Sequence, residues 1–366
     1  MARSVLLVGG GHAHVRVLSL LADAPFDDAD VVLVNAEPVS TYSGMVPGVV
    51  TGQYRPAQAQ IELAPLAARA AARFVCGRAR AIHARARRVE LEDGRSFDYD
   101  LLSLDVGSRP RHPGALDSDA RLIRVKPIAR ALGELEHALA SLSEPCRIAV
   151  VGAGAGGVEL ALALAARLGT KAEVSVFDGA SRPLAERGRR ASRLVLEAFG
   201  EHDVRFYGER RAVRVKRGLV VFDDGRELPA ELVVWVTGAA APALLAESGL
   251  PGDERGFLLV DDSLRSVGDP HVFAAGDCAT LRSHPALPKA GVHAVREGPV
   301  LAENLRRSLG GEPLVDYRPQ ARFLSLLNTG DGCAILVYGP IALRSRWAWR
   351  LKDAIDRRFV DGFRRG

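Results

Sequence analysis

The sequence predicts an α/β protein with two tandem copies of one strand–helix–strand unit and a small C-terminal segment. Two short apolar strands, within SVLLVGGGHAH and RIAVVGAGAGGVE, each run into glycines and then into a helical pattern. Gly9 and Gly152 lie in the two loops, and the interval between them is repeated between Asn35 and Asp178, which end the next apolar strands. A spacing kept through both units indicates an internal duplication.

The second half of each unit repeats as well. Asp-Gly turns at 93–94 and 224–225 each divide a predicted β-hairpin. Each hairpin precedes a strand that runs to a glycine: LLSLDV leads to Gly107, and VVWVT leads to Gly238. The interval between the two turns equals the interval between these two glycines. The two units are therefore predicted to be related Rossmann-like, nucleotide-binding folds.

Length and composition exclude several classes of protein. A chain of 366 residues has room for two or three domains, and 48% apolar with 25% charged residues is typical of globular proteins rather than of disordered chains or coiled-coil rods. No apolar run approaches the roughly 20 residues that cross a bilayer. The four cysteines lie far apart, without CxxC or zinc spacing, which predicts no disulfide framework, no metal site and a reduced cytoplasmic setting.

The second glycine loop carries a complete dinucleotide-binding pattern. Gly152, Gly154 and Gly157 form GxGxxG between a strand and a helix, where free N–H groups and the helix dipole hold a diphosphate. Asp178 ends the next predicted strand, where a carboxylate accepts hydrogen bonds from the adenosine ribose and repels a 2′-phosphate. We therefore expect NADH to be preferred, while nearby Arg182 leaves NADPH open.

The first glycine loop departs from this pattern. Gly9 and Gly11 are in place, but His14 occupies the position of the third glycine. Asn35 occupies the position of the acidic residue, and Glu37 follows shortly after it. His12 and His14 are interpreted as loop residues that contribute to a cofactor site, because HxH without further ligands seldom binds a metal.

These motifs, followed by VFAAGDCA and a helix that begins near PKAG, resemble the flavoproteins with two dinucleotide-binding domains. That group is the pyridine nucleotide-disulfide oxidoreductase superfamily, which includes type II NADH dehydrogenases and sulfide:quinone oxidoreductases. Within it, GGGHAH, TYSGMVPG, VKPIARAL, PKAGVHAVREGP and RWAWRLKDAIDRRF most resemble the branch also found fused ahead of selenophosphate synthase.

The resemblance implies an FAD site in the first unit and an NAD(P)H site in the second. It implies a discontinuous FAD domain at 1–115 and 262–316, an NAD(P)H domain at 116–261 and a C-terminal interface segment at 317–366. The crossovers are expected near His112-Pro113-Gly114 and Pro251-Gly252.

Individual site residues follow from the same resemblance. Asp277 would hold the flavin ribitol or diphosphate, and helix 290–308 would direct its N-terminus at the flavin. Lys289, near the flavin, and Glu159, near both the nicotinamide and the flavin, are the candidate catalytic residues. The remaining cofactor-binding candidates are Tyr42, Ser43 and Gly44 beside the flavin ring, with Gly107, Gly238, Gly276 and Ala290.

The resemblance predicts an FAD-dependent NAD(P)H oxidoreductase that passes electrons from NADH to a quinone-like or other small-molecule acceptor. Alternatives are a soluble reductase linked to selenium or another metabolite, and a non-enzymatic flavin-binding scaffold. Val292 and Arg296 stand where type II NADH dehydrogenases carry two quinone-pocket glutamines, so the acceptor stays open. Cys278 is expected to be a buried packing thiol, because disulfide reduction needs paired cysteines.

The C-terminal segment 343–366 combines basic and apolar residues. Its apolar stripe repeats every four residues on a predicted helix and consists of Trp347, Leu351, Ile355, Phe359 and Phe363. Such a stripe would lie in a headgroup layer on the inner face of the membrane, pack on its own domain, or form a homodimer contact. No nucleic-acid partner is expected, because no nucleic-acid-binding motif occurs.

Overall fold

A computed structural model describes residues 2–111 and 121–364. The predicted crossover at His112-Pro113-Gly114 lies outside these residues. The helices are α1 (His12–Asp23), α2 (Val46–Val50), α3 (Leu63–Arg69), α4 (Ile128–Ala140), α5 (Ala155–Leu168), α6 (Arg189–Glu201), α7 (Ala243–Ala246), α8 (Gly291–Gly310) and α9 (Arg346–Asp361).

The first unit forms a five-stranded parallel sheet. Across the sheet, its strands are Val272–Ala274, Leu101–Leu104, Arg3–Val8, Ala29–Asn35 and Ala72–Cys76. The strand at one edge comes from the chain that follows the second unit, so this sheet is assembled from two separate parts of the sequence.

The second unit forms a matching sheet. Its strands, again all parallel, are Leu122–Arg124, Leu232–Trp235, Cys146–Val151, Ala172–Phe177 and Arg205–Tyr207. The predicted α/β class with two Rossmann-like sheets is confirmed.

The strand register supports the duplication independently. Val5 pairs with Leu101 in the first sheet, and Ile148 pairs with Leu232 in the second. Val5 and Ile148 are separated by the interval that relates the two glycine loops, and Leu101 and Leu232 by the interval that relates the two Asp-Gly turns. The two copies therefore share a pairing register as well as a strand order.

Smaller sheets surround the two parallel ones. Each Asp-Gly turn joins two antiparallel strands, which confirms the predicted hairpins, and a third strand precedes each pair in the sheet. The sheets are Ala79–His83, Arg88–Leu91 and Ser96–Asp98 in the first unit, and Ala212–Lys216, Leu219–Phe222 and Glu227–Pro229 in the second. Three short strand pairs complete the units: Val39–Thr41 with Gln60–Glu62, Arg109–Pro110 with Ala239–Ala240, and Leu258–Val260 with Ala279–Leu281.

The C-terminal segment adds a three-stranded antiparallel sheet and α9. Its strands are Ser325–Asn328, Ala334–Tyr338 and Ile341–Ser345. The Ser345 side chain accepts a hydrogen bond from Ala348 N and so begins α9 with an N-cap. Val360 and Phe363 are buried in the same hydrophobic core as the first sheet, which places the C-terminal helix against the first unit.

Candidate functional site

The two glycine loops follow the first strand of each sheet, at the edge where parallel α/β sheets bind their ligands. Gly9 and Gly152 both have positive φ, +100° and +109°. A Cβ added to Gly9 would lie 2.3 Å from Asp105 O, and a Cβ added to Gly152 would lie 2.6 Å from Val236 O. Both positions therefore require glycine, in agreement with their assignment to binding loops.

The second loop has the geometry of a diphosphate cradle. A Cβ on Gly157 would lie 1.8 Å from Gly152 O, so α5 packs directly on the loop. Among the described residues, no atom beyond the immediate chain neighbours lies within 4 Å of a Cβ on Gly154 or Gly238. Asp178 accepts hydrogen bonds from Ala153 N at 2.6 Å and Ala180 N at 2.7 Å. The structure thus brings the predicted carboxylate to the glycine loop.

The first loop has an equivalent arrangement at Asn35. Its Oδ1 accepts a hydrogen bond from Gly10 N at 2.8 Å, and its Nδ2 donates to Glu37 O at 2.7 Å. Asn35 therefore takes the place that Asp178 has in the second loop, and Glu37 lies beside it. In the part of the chain that the structure describes, no atom beyond the chain neighbours lies within 4 Å of a Cβ on Gly107, which follows the neighbouring strand.

The side chain of His14 makes its hydrogen bonds inside the protein, and the residue lies in α1 rather than in the loop. It is fully buried, with Nδ1 2.6 Å from Gly9 O and Nε2 2.8 Å from Ser103 Oγ. Burial lowers the pKa of the imidazole to about 4, so that it is neutral at pH 7. His14 holds α1 against the loop.

Asp105 was not predicted from the sequence. Its carboxylate is buried and accepts hydrogen bonds from Ala13 N at 2.8 Å and His14 N at 3.1 Å. Burial raises the pKa of this carboxyl to about 7. The signal for it was one acidic residue at the end of an otherwise apolar strand, LLSLDVG.

His12 faces a different environment from His14. Its ring centroid lies 5.4 Å from that of Tyr42 and 5.9 Å from that of Phe359, and its Nε2 is buried without a hydrogen-bond partner among the residues described. Burial lowers the pKa of His12 to about 4. A neutral, unpaired imidazole nitrogen at the start of α1, beside the glycine loop, fits the polar surface of a dinucleotide cofactor.

Asp277 lies beside a lysine that the sequence did not suggest. Its Oδ2 is 2.6 Å from Lys126 Nζ and 3.0 Å from Ser108 Oγ. Burial alone would raise the pKa of this carboxyl, but Lys126 and Ser108 together lower it below its usual value. The preceding Gly276 has a positive φ of +68°, and its N–H donates to Glu297 Oε2 at 2.6 Å.

Lys289, predicted to be catalytic, points into the protein. Its Nζ donates to Thr280 Oγ1 at 3.0 Å and to Ala279 O, and it lies 4.2 Å from the ring centroid of Phe257. Burial lowers the pKa of Lys289. Lys126, rather than Lys289, is the lysine in direct contact with the Asp277 carboxylate.

The N-terminus of α8 meets the segment that was predicted to flank the flavin. The helix begins at Gly291 after Ala290, close to the predicted start. A Cβ on Gly291 would lie 3.7 Å from Ser43 Oγ. Ser43 therefore lies beside the residues that begin α8.

Glu159 belongs to a buried charged cluster at the junction of the three parts of the chain. Lys352 Nζ donates to Gly44 O at 2.7 Å and to Asp356 Oδ2 at 2.9 Å, and lies 4.0 Å from Glu159 Oε1. Asn328 N donates to Glu159 Oε1 at 2.8 Å. Burial raises the pKa of Glu159 to about 7. Lys352 and Asp356 were not predicted from the sequence, although the rarity of lysine was a signal.

Tyr42 adds a hydroxyl group to the same region. Its pKa is raised, first by burial and then by the charges of Asp356 and Glu159. Its ring centroid lies 4.4 Å from that of Phe359 on α9. The segment 42–44 thus contacts α9 through both an aromatic ring and the main chain.

The predicted apolar stripe on α9 is divided between the interior and the surface. Phe363 is buried, but Trp347 and Ile355 are 61% and 43% exposed. The buried face is displaced by one residue and consists of Ala348, Lys352, Asp356 and Val360. Neither a wholly lipid-facing stripe nor a wholly internal one describes the helix. Within 2–111 and 121–364, no helix is both long and apolar enough to cross a bilayer.

Comparison with known proteins agrees with this architecture. Residues 3–298 match the family described as pyridine nucleotide-disulphide oxidoreductase. The NADH dehydrogenase-like protein YutJ of Bacillus subtilis is 24% identical over 328 residues, which cover 89% of this chain and 90% of that protein. The demethylphylloquinone reductase NdbB of Synechocystis is 28% identical over 270 residues, covering 69% of this chain and 65% of that protein.

A solved structure extends the similarity through the C-terminal segment. The structure of NDH2 from Plasmodium falciparum in complex with NADH has a TM-score of 0.81 and 14% identity, covering 99% of this chain and 98% of that one. At this identity the likeness establishes the fold. The chain belongs to the pyridine nucleotide-disulphide oxidoreductase family, and the prediction that it is an oxidoreductase enzyme is confirmed.

Proposed function

We propose that the protein is an FAD-dependent NAD(P)H oxidoreductase that delivers electrons from NADH to a quinone-like or other small acceptor. The convergence of three parts of the chain on Lys352 supports this most strongly. Gly44 comes from the first unit, Glu159 from the second and Asp356 from α9. Electron transfer between two cofactors requires such a junction, because both must be held in fixed orientation.

Each glycine loop, with the polar residues beside it, would hold one of the two dinucleotide cofactors. Gly9, Gly11, Asn35 and Asp277 would hold FAD, with His12 supplying an unpaired nitrogen. Bound FAD would supply the capacity to accept a hydride and pass electrons onward. In the second unit, the loop N–H groups would hold the diphosphate of the nicotinamide cofactor, and the Asp178 carboxylate would accept hydrogen bonds from the hydroxyls of the adenosine ribose.

The charged cluster is suited to hold a proton near the reacting groups. Glu159 is buried and has a pKa of about 7, so its carboxyl can both hold and release a proton near neutral pH. The Lys352 ammonium lies 4.0 Å away and favours the ionised form. We propose that Glu159 is a proton-holding residue and that Lys352 positions it.

The acceptor side of the proposal concerns α8. Arg296 is exposed on α8 at one of the two positions considered for a quinone pocket. A soluble reductase linked to selenium or another metabolite is the alternative, and it rests on the resemblance to the branch fused to selenophosphate synthase. A screen of quinones and selenium compounds with the purified holoenzyme separates these two functions.

Anaerobic mixing with NADH tests the proposed activity. We expect the visible absorbance of bound flavin to bleach rapidly, and more efficiently with NADH than with NADPH. A yellow protein that neither nucleotide bleaches would contradict the proposal and favour the non-enzymatic flavin-binding scaffold.

Replacing Asp178 tests the choice of nucleotide. For Asp178→Ala we expect the apparent KM for NADH to rise by roughly 10- to 150-fold and that for NADPH to rise less, because a hydrogen bond to a charged group contributes about 1.5–3 kcal/mol. Asp178→Asn is the matched control, since its amide oxygen can still accept from Ala153 N. Steady-state kinetics with both nucleotides provide the measurement. Equal effects on both would remove Asp178 from ribose recognition.

We also propose that the exposed part of α9 contacts a membrane surface. Trp347 and Ile355 project into solvent beside Arg346, Arg350 and Arg358, a combination that suits anionic headgroups.

Trp347→Ala combined with Ile355→Ala should abolish sedimentation with anionic vesicles and leave the unfolding midpoint unchanged, because both side chains are exposed. Binding by the unmodified protein should weaken with salt. Leu196→Ala, an exposed residue on α6, is the matched control. Undiminished vesicle binding by the double variant would refute the membrane contact.

A further inference from the structure

The two copies of the duplicated unit differ at two linked positions. His14 stands where the second copy has Gly157, at the interval that relates the two glycine loops. Asp105 stands where the second copy has Val236, at the interval that relates the two Asp-Gly turns. The second copy therefore serves as an internal reference for the first.

The third glycine lets helix and loop touch in the second copy. A Cβ on Gly157 would lie 1.8 Å from Gly152 O. In the first copy, the His14 imidazole bridges Gly9 O and Ser103 Oγ, at 2.6 and 2.8 Å. The start of α1 is thus held through a side chain.

The Asp105 carboxylate lies at the start of α1. It accepts from Ala13 N and His14 N. A Cβ on Gly11 would lie 2.3 Å from its carboxyl carbon, and one on Gly276 would lie 2.6 Å from its Oδ1. The carboxylate therefore occupies main-chain donors at a helix N-terminus, the kind of group that binds a diphosphate in this fold.

We propose that Asp105 makes flavin nucleotide binding at the first unit proton-linked, so that the diphosphate of FAD binds together with uptake of one solvent proton by the Asp105 carboxyl. This inference rests on the proposed FAD site. The reason is electrostatic: a buried carboxylate and a diphosphate beside the same donors repel each other, and protonation of the carboxyl removes the repulsion.

Four titratable groups act on Asp105 directly, and their contributions must be distinguished from its own: His14 on α1, Asp277 and Cys278 after Gly276, and Glu297 on α8. His12, Lys126 and Lys289 lie around Asp277. Burial raises the pKa of the Cys278 thiol to about 12, so it stays neutral. Burial also raises the pKa of Glu297 to about 7, which makes Glu297 the main competing group.

Titration of the apoprotein with FAD between pH 6 and 8.5, followed by flavin fluorescence, tests the inference. We expect the Kd to rise roughly tenfold per pH unit above pH 7 and to be nearly constant in Asp105→Asn. Glu297→Gln should keep the slope. Asp100→Asn is the matched control and should also keep it, because that carboxylate accepts from Ser4 N at the amino-terminal ends of the strands, away from the glycine loop.

Calorimetry of the unmodified protein provides a second measurement that does not depend on a variant folding. At pH 8, binding enthalpies in buffers of different ionisation enthalpy should report uptake of about one proton per FAD. A pH-independent Kd, no proton uptake, or a slope lost in Glu297→Gln but kept in Asp105→Asn would overturn the inference while leaving the proposed function intact. Failure to bind FAD at any pH would overturn both.

Discussion

Lys352→Met is expected to lower the free energy of unfolding by about 3–5 kcal/mol at pH 8, because it leaves buried carboxyls without their ammonium partner. Lys352 and Asp356 are 4% and 3% exposed, and their side chains lie 2.9 Å apart. Denaturant titration gives the measurement. A loss below about 1 kcal/mol would show that the cluster does not depend on its lysine.

The pH dependence of this loss provides a further check. Burial raises the folded-state pKa of both Glu159 and Asp356. The folded state is therefore more stable when these buried carboxyls are protonated, and it loses stability as they ionise at higher pH. The stability deficit of Lys352→Met should therefore be larger at pH 8 than at pH 5.5. Combining it with Asp356→Asn should recover part of the loss at pH 8, because one unpaired charge is removed.

Gly157→Ala is expected to destabilise the second unit and to abolish measurable NADH binding. Its Cβ would lie 1.8 Å from Gly152 O, a main-chain atom of the binding loop itself. Moving α5 away costs about 1–3 kcal/mol, as overpacking does elsewhere, and displaces the N–H groups that hold the diphosphate. Thermal unfolding and NADH titration measure the two effects.

Gly154→Ala is the matched control for this substitution. Within 2–111 and 121–364, no atom beyond the chain neighbours lies within 4 Å of a Cβ at Gly154, and its φ of −69° is accessible to alanine. We expect stability within about 0.5 kcal/mol of the unmodified protein, with weaker NADH binding because the added methyl group would stand in the open space beside a loop that is proposed to hold the diphosphate. FAD content should stay unchanged in both variants. Equal stability of the two variants would contradict the packing role of Gly157.

The duplication and the fold class were predictable because their signals are local. A buried strand, a glycine loop and an Asp-Gly turn are each encoded within a few consecutive residues. The repeated spacing then reappears in the strand register, where Arg3 pairs with Ala29 and Cys146 with Ala172. The glycines at 9 and 152 were identified for the same reason, since positive φ and close main-chain approach leave few other residues possible.

Local patterns were thus enough to place the two units, their glycine loops and the approximate position of α9. Tertiary packing, by contrast, set which polar side chains meet: Asp105 reaches Ala13 across 92 residues, Lys126 reaches Asp277 across 151, and Lys352 reaches Gly44 across 308. The same packing turned Lys289 inward and divided the α9 stripe between core and solvent. The physical reason is that a buried charge is stabilised by whichever partner the folded chain brings within hydrogen-bond distance, and that partner leaves no periodic trace in the sequence around either residue.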